Sequence, residues 1–141
     1  MFYEPKNGVP LPHNPLNAIV VPRPIGWIST WGVNDEPNLA SFSYFNALAS
    51  TTMLVGVSIG HRSSGPKDTL VNIRDRRAFC VNIVTEPFLN AMKSTSADVA
   101  PGIDEFGLAG LHPGPCKRGS PPLFPIHILR CRRPLTVFFS F

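Results

Sequence analysis

The stretch PRPIGWISTWGVNDEPNLASFSYFN, Pro22 to Asn46, governs how the rest of the chain is read. Pro22 and Pro24 each fix their own φ and hold the preceding residue extended, so Pro-Arg-Pro is a restrained turn. Ile25 to Trp31 is rich in β-branched and aromatic residues and reads as a strand. Gly32 to Pro37 gathers Gly, Asn, Asp and Pro, the residues of a turn. Asn38 to Asn46 reads as a second strand, and the two form a hairpin. In that second strand Ala40, Ser41 and Ser43 are small or hydroxylic, where a half-buried strand normally alternates polar with bulky apolar residues. Small residues let a ligand approach the backbone, and hydroxyls supply hydrogen bonds. This strand is built to lie against something flat.

On either side the chain is rich in turns. Residues 1 to 16 hold four prolines with Asn7, Gly8 and Asn14, which makes an extended arm without periodicity. Asn17 to Val21 reads as a brief strand or turn. Ala47 to Thr52 is a loop of small residues, and Met53 to Gly60 a third strand, apolar on both faces and so buried. His61 to Pro66 is a polar loop. Lys67 to Arg77 reads as a short helix with Leu70, Ile73 and Arg74 on one face, Asp75 and Arg76 on the other, and Asp68 or Ser64 as its cap. Ala78 to Thr85 returns to strand. Thr85-Glu86-Pro87 opens a second helix, its proline in the first turn, where the missing N–H costs nothing. Asp98 to Leu111 reads as loop. Short strands, short helices and many turns place the chain in the mainly β class, as an antiparallel barrel with helices at its ends.

The length, 141 residues, fits one domain. With 43% hydrophobic and 16% charged residues the chain can bury a core, which excludes a disordered protein. Its 16 prolines disfavour long helices. No apolar run approaches the ~20 residues that a membrane helix needs. The opening MFYEPKNG is neither basic nor followed by an apolar core, so no signal peptide is visible and the protein is read as cytoplasmic, with no membrane partner. The formal charge of +4 misleads: up to Glu105 there are eight basic residues against nine acidic ones, and after it five basic and none acidic. The basicity belongs to the tail and gives the folded part no claim on nucleic acid. The three cysteines, Cys80, Cys116 and Cys131, form no CxxC pair, so neither a disulfide framework nor a zinc site is suggested. Cys80, inside AFCVNIV, reads as a small buried hydrophobe.

Five collinear stretches carry a family resemblance: PRPIGWIST; Asn38-Leu39-Ala40 followed by Ser43-Tyr44-Phe45-Asn46; KDTLVNI at Lys67 to Ile73; FCVNIVTE at Phe79 to Glu86; and DEFGLAGL at Asp104 to Leu111. Over residues 14 to 112 the chain resembles the flavin reductase-like family. The resemblance implies an FMN-binding fold, an antiparallel Greek-key split β-barrel. It also implies reduction of flavin by NADH or NADPH, with electrons passed to an oxygenase or other acceptor, and a homodimer with flavin near the interface.

The resemblance also supplies the site residues. On spacing alone SSGPKDT, Ser63 to Thr69, is an ordinary capped helix start with a solvated Lys67. Under the resemblance it becomes the FMN phosphate site, from the Ser63, Ser64 and Thr69 hydroxyls, Lys67, and the N–H groups of a helix N-terminus. Arg23, stiffened between two prolines, could aim its guanidinium fork at phosphate, or is a surface arginine on a turn. Asn38 to Phe45 would run along the ring edge, with room made by Ala40 and with Ser43 and Asn46 nearest the ring. Trp27 shares a strand face with Trp31 and could stack on the flavin; two core tryptophans are the commoner explanation. Asn72 and Asn82 lie in apolar surroundings, where each is expected to satisfy a backbone group. His61 is a proton donor by type, yet nothing places it beside a substrate. No acid pair, nucleophile–base pair or metal cluster stands out, so no catalytic residue is assigned and no metal is expected. Hydride chemistry would be the cofactor's, and the protein would bind and orient it.

The resemblance fades between Leu111 and Pro115. The chain beyond Glu105 holds six prolines, two of the three cysteines, and an apolar end, VFFSF. The expected organisation is an arm at 1–16, a partial split barrel at 17–112 truncated at its C-terminal side, and an atypical basic tail at 113–141 that stands outside the barrel. A natural C-terminal element is the alternative. Three functions are compatible: an FMN-dependent NAD(P)H oxidoreductase, an FMN carrier without turnover, and a basic module binding nucleic acid through the tail. The clustering of excess charge outside the folded pattern counts against the third.

Overall fold

The computed structural model describes residues 4–8, 11–51, 54–114 and 128–131. Along them run α1 (Pro15–Ile19), β1 (Gly26–Trp31), β2 (Pro37–Phe42), β3 (Phe45–Ala49), β4 (Leu54–Val57), β5 (His61–Arg62), β6 (Gly65–Pro66), α2 (Asp68–Arg76), β7 (Phe79–Ile83), α3 (Leu89–Ser94), α4 (Glu105–Leu108) and β8 (Ile128–Cys131). A 3-10 turn at Glu86–Phe88 leads into α3. The main sheet has the order β2-β1-β7-β8, with every pair antiparallel. The expected hairpin is its first pair: Gly26 faces Phe42 and Trp31 faces Pro37. β3 pairs with β4, and β5 with β6, as two further small sheets. Among the described residues these three sheets do not close into a barrel. β8 lies within the stretch expected to stand outside the barrel, and it runs beside β7 with Phe79 opposite Cys131. The remainder of that stretch, 115–127 and 132–141, falls outside the described residues.

β1 is buried on both sides, which explains its sequence. Ile28 faces one core with Phe42, Val57, Ile59, Leu70, Ile73, Phe79 and Val81. Trp27 faces the other, with Leu39, Phe106 and Leu111, backed by Phe88, Ala91 and Met92. A strand covered on both faces has no reason to alternate polar with apolar. Cys80 is fully buried on β7, as expected. Asn82 also behaves as expected, donating to the Trp27 carbonyl at 2.9 Å. Asn72 does not: its amide goes to the Thr30 hydroxyl at 3.0 Å, a side chain instead of the backbone.

Several element boundaries differ from the sequence reading. The second strand does not run through to Asn46. It ends at Phe42, bends at Ser43 and Tyr44, and resumes as β3 in another sheet, so Ala47 to Ala49 is strand and not loop. The bend is held from outside: the Tyr44 carbonyl accepts from Ser58 N at 2.9 Å, and the Tyr44 hydroxyl donates to Asn17 Oδ1. α1 stands where a strand or turn was expected. Asn14 caps it by accepting from Leu16 N, with Pro15 in the first helical position. α4 stands inside the expected loop, capped by Asp104 on Phe106 N. Neither Ser64 nor Asp68 caps α2. The cap position is Lys67, which makes no side-chain cap bond, and its buried residues are Thr69, Leu70, Asn72 and Ile73, with Arg74 exposed.

Gly26 marks a close approach. A Cβ there would lie 2.7 Å from Phe45 Cδ2 and 2.8 Å from its Cγ. Alanine in a strand normally gains about 0.5–1 kcal/mol over glycine, while overpacking a filled core costs about 1–3 kcal/mol. The clash wins, so Gly26→Ala is expected to lower the urea midpoint with an unchanged m value. A raised midpoint would show that Phe45 swings aside freely.

Candidate functional site

A cleft of about 330 Å³ opens where β2, the β5–β6 turn, the start of α2 and residues 95–98 meet. β2 contributes Asn38, Ala40 and Ser41, and α2 contributes Thr69 with Lys67 just before it. Ala40 is the register partner of Ile28, and its small side chain packs against the core around Ile28. The Lys67 ammonium lies 5.6 Å from the centre of the Phe42 ring, an attractive cation–π placement that seats it at the end of β2. The cleft is also lined by Arg62, half-buried, which the sequence assigns only to a polar loop. Its Nη1 is 3.5 Å from Asp68 Oδ2, and its Nε is 2.9 Å from Asp98 Oδ1. That second contact is an ion pair off the hydrogen-bonding line, so the buried Nε–H makes no aligned hydrogen bond.

The wall formed by residues 95–98 is pinned to the sheet. Trp27 Nε1 donates to Thr95 Oγ1 at 2.8 Å, and the Ser41 and Ser96 hydroxyls bond each other at 2.6 Å. Thr95, Ser96 and Asp98 line the cleft, as do His61 and Glu105. Of these five the sequence singles out only His61, and by residue type alone.

Beneath the cleft lies a buried polar network. Glu105 on α4 is 4% exposed. Asn38 Nδ2 sits 2.9 and 3.0 Å from its two carboxylate oxygens, and Leu39 N donates to Oε2 at 3.2 Å. Burial pushes the Glu105 carboxyl above its ordinary pKa; the hydrogen bonds from Leu39, from its own backbone N–H and from Asn38 pull the other way, and nearby Asp68 adds to the rise. On its other side Asn38 Oδ1 accepts from Thr30 Oγ1 at 3.0 Å and Thr69 Oγ1 at 2.9 Å.

A second cleft of about 410 Å³ lies beyond the end of β2 and is lined by Pro22, Arg23, Ser43, Tyr44, Asn46 and Leu48, among others. Here Arg23 is held by α1: its Nη1 donates to the Asn17 and Val20 carbonyls, and its guanidinium lies 5.5 Å from the Tyr44 ring centre. Its Nε is buried without a hydrogen-bond partner. The candidates from sequence therefore divide. Asn38, Ala40, Lys67 and Thr69 share the first cleft, and Arg23, Ser43 and Asn46 share the second. Ser63 and Ser64 are exposed at the β5–β6 turn and line neither. Trp27 is 1% exposed in the core and is brought to neither.

A family model described as a flavin reductase-like domain matches residues 18–128. The chain belongs to the flavin reductase-like family. A related protein of Aquifex aeolicus, itself uncharacterised, is 38% identical over 97 residues, 68% of this chain and 50% of its own length. Among solved structures, nitrilotriacetate monooxygenase component B from Bacillus cereus superposes with a TM-score of 0.77 at 26% identity, over 89% of this chain and 62% of that one. A flavin reductase with a split barrel domain from Shewanella frigidimarina gives a TM-score of 0.65 at 23% identity, over 73% of this chain and 50% of that one, a likeness of fold. This flavin reductase-like chain thus spans about half the length of the curated relative and of that split-barrel structure. Among the described residues, no helix is long and apolar enough to cross a membrane.

Proposed function

We propose that this chain binds FMN and belongs to an NAD(P)H-dependent flavin oxidoreductase. The observation that carries the reading is that Lys67 and Arg62 line one cleft together with the small residues Ala40 and Ser41 of β2. A phosphate needs cations and N–H donors in a fixed place. Lys67, seated on Phe42, is one, and Arg62, in ion pairs with Asp68 and Asp98, is the other. The donor set therefore fits the phosphate end of a flavin nucleotide, and Asp68 and Asp98 hold Arg62 in position until an anion competes for it. The bend at Ser43 and Tyr44, with Asn46 beside it, would take the ring end in the second cleft.

Bound flavin would supply hydride acceptance and electron transfer; the residues of this chain bind, orient and shield it. A second copy of the chain would cover the exposed Val20, Tyr44, Leu48 and Leu54 around the second cleft, in keeping with a homodimer. A carrier without turnover is the alternative. Mixing the yellow protein with NADH or NADPH separates them, because a reductase bleaches the flavin absorbance and a carrier does not.

The phosphate placement has its own test. Lys67→Met is expected to weaken FMN about ten- to a hundredfold, since a hydrogen bond to a charged group is worth roughly 1.5–3 kcal/mol. Riboflavin, which lacks the phosphate, should be bound as before. Equal losses for both ligands would put the phosphate elsewhere.

A further inference from the structure

We propose that Glu105 fixes the amide of Asn38 so that Thr69 can only accept a hydrogen bond from the cleft, and that the ligand group recognised there is a donor, such as a hydroxyl of the flavin side chain, and not the phosphate. The inference rests on the flavin reading above, and it revises the expectation that Thr69 contacts phosphate. Its basis is the balance of donors and acceptors in a sealed network. Asn38 Nδ2 faces the two oxygens of a carboxylate. Turned over, the amide would press its own oxygen against them, so its orientation is set. Asn38 Oδ1 then points at two hydroxyls, Thr30 and Thr69. A carbonyl oxygen only accepts, so both hydroxyls must donate. Thr30 completes its set by accepting from Asn72 Nδ2. Thr69 has one proton and has given it to Asn38. Its oxygen has only lone pairs left to offer, and the acceptor oxygens of a phosphate dianion would be repelled.

Glu105 is the anchor of this arrangement, 67 residues away from Asn38 in the chain. It touches no reacting atom and acts as a positioning residue. All five members are at most 7% exposed, so each depends chiefly on its partners within the network.

The test measures FMN and riboflavin affinities of the full 141-residue chain by fluorescence quenching. Thr69→Val is expected to weaken both flavins by the same factor, about two- to tenfold for one neutral hydrogen bond, and Thr69→Ser to restore both. A loss confined to FMN would overturn the proposal. A flavin-free measurement separates this inference from the flavin reading. NMR of the side-chain amides should place the Asn38 amide protons beside the Glu105 methylenes and away from the Thr69 methyl. Protons beside the Thr69 methyl would overturn the inference, whether or not flavin binds. A wild type that binds neither flavin would sink the flavin reading and with it the ligand half of the proposal, while the amide protons still decide the network.

Discussion

Trp27→Ala is expected to cost about 3–5 kcal/mol of folding stability, the range for deleting a large buried aromatic side chain. The indole is 1% exposed and packs with Leu39, Phe106 and Leu111. A total stability of about 5–15 kcal/mol for an ordinary domain leaves little after such a loss. The effect should reach the cleft as well. Trp27 Nε1 holds Thr95 Oγ1, and Thr95 in turn donates to the Met92 carbonyl, so the indole pins the wall that carries Ser96 and Asp98. Trp27→Phe keeps most of the apolar contact and loses the N–H. It should cost less stability yet still loosen residues 95–98, read as faster amide hydrogen exchange there. Urea denaturation of both variants is the check. A loss under about 1 kcal/mol for Trp27→Ala, well below the range for a buried aromatic, would mean that the second core does not close over this side chain.

The same residue illustrates what the sequence could and could not show. β1 and its turn were legible because their signals are local: β-branched and aromatic residues, then Gly, Asn, Asp and Pro. The face that Trp27 occupies was not, since a strand covered on both sides carries no alternation to read. The break at Ser43 and Tyr44 was hidden for a related reason. It is imposed by Ser58 and Asn17, far along the chain, and nothing within SFSYFN announces it. α1 and α4 did carry local signals, Asn14 before Pro15 and Asp104 two residues before Phe106, but each helix is only a turn long.

Of the site, the motif residues Asn38, Ala40, Lys67 and Thr69 were gathered from sequence by resemblance, and they do share one cleft. Arg62, Ser96 and Glu105 were missed. Ser96 meets Ser41 across 55 residues and Glu105 meets Asn38 across 67, separations at which spacing carries no information. A lone arginine in HRSSGP looks like any solvated loop residue. Only the cleft gives it a role.

Asn38→Leu is expected to cost about 3–5 kcal/mol at neutral pH, the penalty for removing one partner from a buried charge. The change keeps the branched heavy-atom shape but takes both amide contacts from Glu105 and the acceptor from the Thr30 and Thr69 hydroxyls. The sign of its pH dependence is set by Glu105. Burial already raises that carboxyl above its ordinary value, and the bond from Asn38 is one of the contacts that hold it down. Removing the bond lets the folded-state pKa climb further. A carboxyl whose pKa is higher folded than unfolded adds stability that is fully present below the unfolded value, about 4.3, and is lost as pH rises through the folded value. In the variant that loss extends to higher pH than in the wild type. The deficit of Asn38→Leu relative to the wild type should therefore be greatest near pH 7 and shrink toward about pH 4, where Glu105 is protonated in both. Urea denaturation of the two proteins at each pH measures it. A deficit that stays the same across that window would show that Asn38 stabilises the fold without holding the Glu105 charge, and the polarity assigned to Thr69 would lose its anchor.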